Sequence, residues 1–193
     1  MADRANPPIL KFRNQASLSE WFGKNSVTSQ GFLLKIGKGP FKDQTISYAE
    51  ALEIAICYGW IDSQKLPFDE HYWLQKFTPR KKDSIWSKVN REKAEKLLKE
   101  GKMKPPGIRA MDEAKSNGRW ENAYEGQKNM TVPPGLKKEL GKNKKAREFF
   151  ENLNSVNRYA ILFRIHSAKK EETRKARINK YMEMLRRGEK IYD

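Results

Sequence analysis

The chain has 193 residues, 37% apolar and 33% charged, enough for one large domain or two small ones around a thin core. Forty Lys and Arg against 24 Asp and Glu give a net charge of +16, which attracts polyanions such as nucleic acid, attracts anionic membrane surfaces less, and repels cationic partners. No apolar run approaches the roughly 20 residues of a membrane span, residues 1–8 lack the apolar stretch of a signal peptide, and the single cysteine, Cys57, excludes an intrachain disulfide, so a cytoplasmic location is expected.

Residues 8–13 read as a short strand and Leu18–Lys24 as a short helix opened by Ser17. Phe32–Ile36 reads as a strand stopped by Gly37 and the Gly39-Pro40 turn. Ser47 followed by Glu50 is a capping box, in which each side chain satisfies a backbone N–H of the other. Tyr48, Leu52, Ala55 and Ile56 form the apolar stripe of that helix, and Gly59 ends it. Trp60–Leu66 and His71–Phe77 read as a hairpin, with Pro79 stopping its second strand. Asn90 is expected to cap a helix running to Glu100, and a further helix is expected over Pro106–Asn117.

Helix signals alone follow. Pro134 suits a first turn, Asn143 and Ser155 open two more helices, and Ile178, Tyr181, Met182 and Leu185 lie at i, i+3, i+4 and i+7 of the last. Polar residues and a Pro-Pro-Gly turn mark a linker near Gly126–Pro134. Residues 1–126 hold 22 basic and 16 acidic residues, and residues 127–193 hold 18 and 8. The expected fold is therefore α+β: a small antiparallel sheet with helices over residues 1–126, and an all-helical module over 127–193.

Motifs that would announce a reaction are missing. The two histidines, His71 in an expected strand and His166 in an expected apolar helix, lie in no HExxH pattern, and one cysteine builds no zinc cluster. Neither GxGxxG, GxxxxGK[ST] nor GxSxG occurs. No metal and no cofactor are expected. The densest constellation runs from Phe77 through Pro79, Arg80, Lys81, Lys82, Ser84, Trp86 and Ser87 to Asn90. Its cations can neutralise phosphates while an aromatic face stacks a base. The plainer reading puts Trp86 in the core, uses Ser84 or Ser87 as a helix cap and leaves the cations in solvent. A second cluster places Lys169, Lys170, Arg174 and Arg177 on neighbouring turns of one helix. It suits a polyanion, or neutralisation by Glu171 and Glu172.

At these residues the chain resembles a known family. Gly59-Trp60-Ile61-Asp62, Phe77-Thr78-Pro79-Arg80, Ser84, Trp86-Ser87, Asn90, Gly101-Lys102-Met103 and Pro106-Gly107 look like the N-terminal part of YdeI-type proteins. Val132-Pro133-Pro134 through Phe149-Phe150, then Ala168-Lys169, Glu172-Thr173-Arg174 and Arg177-Ile178, look like the YdeI/OmpD-associated module. The resemblance spans roughly residues 30–188. It implies stress tolerance, protection against bacteriocins or cationic antimicrobial peptides, and association with an outer-membrane porin. Some members are described as periplasmic with an OB-like barrel, whereas here no export signal is visible and the C-terminal part reads as helices.

Three roles compete at this level. The first is a non-enzymatic binding protein that contacts an anionic partner, nucleic acid among the candidates, through Arg80–Lys82 and the C-terminal helices. The second is an enzyme of unrecognised class with a pocket where Trp60, Asp62, Arg80, Ser84, Trp86 and Asn90 converge, Arg80 holding a substrate anion and Asp62 acting as acid or base. The third is a tolerance factor acting through a protein partner. The sequence leaves the oligomeric state open.

Overall fold

In the computed structural model, which describes residues 7–127, 129–168 and 170–193, the chain divides into two units, 1–123 and 124–193, each around its own apolar core. The first unit holds a four-stranded sheet. Its strands are β1 (Ile9–Leu10), β2 (Phe32–Gly37), β3 (Trp60–Pro67) and β4 (Tyr72–Pro79), in the order β1-β2-β4-β3. β3 and β4 form the expected hairpin, and β4 runs antiparallel to β2. β1 departs from expectation twice: only Ile9 and Leu10 are paired, and they run parallel to β2. A parallel neighbour requires a crossover, supplied by helix α1 (Gln15–Asn25). β3 forms one edge of the sheet, and its register with β4 shifts between Asp62 and Lys65.

Alternation along β2 and β4 drives Phe32, Leu34, Ile36 and Phe77 into the core. Phe22 meets Phe32 and Trp60 edge-on, with the Phe22–Trp60 centroids 5.1 Å apart, and Phe32 stacks on Phe77 at 5.7 Å. Helix α2 (Tyr48–Cys57) starts at the capping box: Ser47 Oγ accepts from Glu50 N–H, and Glu50 Oε2 accepts from Ser47 N–H at 3.0 Å. Hydrogen bonds from Ser47 and Gln15 hold the Glu50 carboxyl below its ordinary pKa. The expected caps at Ser17 and Asn90 are displaced by three residues. Asn14 caps α1, and Ser87 caps helix α3 (Lys88–Lys99).

Helix α4 (Pro105–Ser116) comes close to the end of α2. A Cβ on Gly107 would lie 2.2 Å from the Cys57 carbonyl oxygen, and one on Gly59 (φ +75°) 2.7 Å from the Pro106 oxygen. These contacts admit only glycine and fix where α4 runs relative to β3.

The second unit contains helices α5 (Pro134–Lys142), α6 (Lys144–Glu151), α7 (Ser155–His166) and α8 (Glu171–Arg187), with no strand among its described residues. Leu136, Phe150, Ile161, Ile165, Met182 and Leu185 form its core. Asn157, 1% exposed, binds the chain end: its Oδ1 accepts from the N–H groups of Ile191 and Tyr192, and its Nδ2 donates to the Tyr192 carbonyl, all at 2.9 Å.

Candidate anion-binding site

The connection from β4 to α3 is built by its own side chains. Ser84 Oγ accepts from Lys81 N–H at 2.9 Å and Ser84 N–H returns to the Lys81 carbonyl, closing a tight turn that pushes Lys81, Lys82 and Asp83 into solvent. Both serines of this segment are thereby used, Ser84 in the turn and Ser87 as the cap of α3.

Arg80 is half-buried, its guanidinium carbon 3.5 Å from the Trp86 ring centroid, with Nη1 donating to the Ile85 carbonyl at 3.2 Å. Trp86 is 1% exposed and meets Trp120 edge-on at 4.9 Å. The indole face read as a platform for a base is therefore covered by Arg80 on one side and by core on the other. What the segment offers a ligand is charge.

Arg80, Lys81, Lys82, Ser84 and Trp86 line a shallow recess with Ala110, Glu113 and Ala114 of α4. Two cations that local sequence does not single out stand nearby. Arg119 donates from Nη1 to the Lys82 carbonyl at 2.6 Å, and Lys115 Nζ lies 5.5 Å from the Trp120 ring centroid. Asn117 Nδ2 also reaches the Lys82 carbonyl, at 3.4 Å. The end of α4 thus braces the basic loop, through partners 35 and 37 residues away in sequence. Glu113 is the acidic member of the lining.

Of the residues expected to form an enzymatic pocket, Arg80, Ser84 and Trp86 line the recess, while Trp60, Asp62 and Asn90 do not. Trp60 is 1% exposed within the aromatic core, and its Nε1–H donates to the Ser26 carbonyl at 3.1 Å. Asp62 Oδ2 accepts from the Tyr48 hydroxyl at 2.8 Å. Asn90 is buried in the first turn of α3. His71 lies in the bend before β4 rather than in a strand, stacked on Phe41 with centroids 4.1 Å apart. His166 ends α7, its Nε2 2.9 Å from the Thr131 carbonyl oxygen.

In the C-terminal cluster, Lys169 lies outside the described residues. Lys170 is the exposed residue preceding α8. Arg174 donates to Glu171 at 3.0 Å and to the Ala168 carbonyl at 3.1 Å. Arg177 donates to the Arg164 carbonyl and, at 3.0 Å, to Ser167 Oγ. Both arginines thus serve the last carbonyls of α7 and the turn after it, where cations complement the negative end of the helix dipole.

Two family models match the chain. One, described as a domain of unknown function (DUF8412), covers residues 10–110, and the other, described as bacteriocin-protection, YdeI or OmpD-associated (OmdA), covers residues 129–188. The YdeI/OmpD-associated resemblance is thus carried by the second unit, while the first unit matches a family of its own. Neither curated proteins nor solved structures give a match.

Proposed function

We propose, for a chain that belongs to the DUF8412 family and carries a YdeI/OmpD-associated module behind it, a non-enzymatic role in holding an anionic partner at the recess between the Arg80–Trp86 segment and α4. The observation that carries this reading is the bracing of the basic loop. Arg119 and Asn117 hold the Lys82 backbone while the Lys81 and Lys82 side chains stay in solvent, so two cations are presented from a fixed main chain. Ordering those side chains on a ligand then costs only their own rotamer freedom. A net charge of +16 adds long-range attraction for a polyanion and repels cationic peptides. A protective role of the kind named in the OmdA description would on this reading act through the anionic partner and not through the peptide.

Duplex DNA across a salt series tests the proposal. Affinity should fall steeply with salt, at a log–log slope near −0.9 per neutralised phosphate. Replacing Lys81 and Lys82 together by alanine should weaken binding several-fold and flatten the slope by about 2. Absence of binding at low salt, or a slope unmoved by the double substitution, would refute it.

A further inference from the structure

The two faces of the sheet differ in character. Register places Leu33, Lys35, Leu74, Lys76, Ile61 and Leu66 opposite the face that enters the aromatic core; Leu74 is buried and the other five are half-buried. At the Tyr72 end the face becomes aromatic and basic. Lys35 Nζ lies 4.2 Å from the Tyr72 ring centroid and 4.5 Å from that of Phe68. Lys11 Nζ lies 4.9 Å from the Tyr72 centroid and 3.2 Å from its hydroxyl. Phe68 is 45% exposed. Asp69 divides its carboxylate: Oδ1 accepts from the N–H groups of His71 and Tyr72, and Oδ2 pairs with Lys35 at 3.7 Å.

We infer that this outer sheet face holds a single-stranded nucleic acid, with bases on the Phe68 and Tyr72 rings and against the half-buried Leu33, Ile61 and Leu66, and phosphates on Lys11, Lys35 and Lys76. The chemistry selects this occupant over others. Three lysines against one engaged aspartate call for an anion. The exposed Phe68 ring and half-buried apolar side chains beside those lysines call for an anion with flat apolar parts, which a single strand exposes and a duplex keeps stacked. A second copy of the chain would set lysine against lysine. The ammonium groups resting on the rings do not bar the site. An exposed cation–ring contact is weaker than base–aromatic stacking, and a phosphate gives each lysine a stronger partner than the ring. This inference stands apart from the recess and does not require it.

Fluorescence anisotropy on the full-length protein decides the matter, with a labelled oligothymidine and a labelled duplex at the same low salt. Phe68→Ala should weaken the single strand about ten-fold and leave the duplex unchanged, and Phe68→Trp should retain single-strand binding. Lys35→Ala and Lys76→Ala should each weaken the single strand and reduce its salt slope by about 0.7. The inference is overturned if Phe68→Ala binds oligothymidine as the parent does, or loses both ligands equally. It is also overturned if sedimentation shows a dimer that Phe68→Ala dissociates, which would assign the face to a second copy. Because Lys81 and Lys82 are read on duplex and Phe68 on single strand, failure at one surface is distinguishable from failure at the other.

Discussion

Cys57 sits at the end of α2 with its carbonyl accepting from Lys104 N–H and its side chain in the core of the first unit, 7% exposed. Loss of solvent pushes the thiol up to about 11. Since the thiolate is the reactive form, the folded protein should not react with a disulfide reagent around pH 8, whereas the chain in denaturant should react at once. Equal rates in both states would show that α2 and α4 separate readily. Trp86 illustrates what can be read at this scale. Its place among cations at a helix start is legible in the sequence, but the exposure of its ring is not. That depends on Trp120, a residue 34 positions away, and on Arg80 folding back across the indole. Asp62 and Trp60 likewise stand out by type and spacing, yet their partners, Tyr48 and Ser26, come from other elements.

Helix starts explain where the sequence misleads by a fixed offset. A capped helix carries polar residues at the cap and three positions on, and both look alike in a string of letters. Ser17 and Asn90 are the inner members of such pairs, with Asn14 and Ser87 in extended backbone as the true caps. Ser47 is legible as a cap because Glu50 can occupy only the inner position. The hairpin and the helices of the C-terminal part announce themselves through local signals, while the parallel pairing of β1 depends on a distant strand and leaves no local trace. In the second unit, Asn157 ties α7 to the chain end through bonds spanning 34 and 35 residues. Asn157→Ala leaves two main-chain donors near Ile191 without their acceptor. It should cost about 1–3 kcal/mol in denaturant unfolding, and a change within experimental error would reduce the chain end to a loose appendage.

Across the whole molecule, 40 cations face 24 acids, and the ion pairs that form are largely exposed, such as Lys24–Glu20 and Lys142–Glu139 at 2.7 Å. Exposed pairs contribute about 0–1 kcal/mol each, so repulsion among the surplus cations prevails at a net charge of +16. Raising sodium chloride from about 0.05 to 0.5 M, which shortens the screening length several-fold, should therefore raise the melting temperature. A fall would mean that the paired charges outweigh the repulsion. One detail of the sheet acquires meaning in this setting. A polymer that gathers many copies of a basic protein brings their sheet borders together at high local density, the circumstance in which strands zip into fibrils. The irregular step between Asp62 and Lys65, with Pro67 beyond it, spoils the outermost strand as a template for its neighbours. If the proposed anionic partner is such a polymer, crowding along it stays reversible.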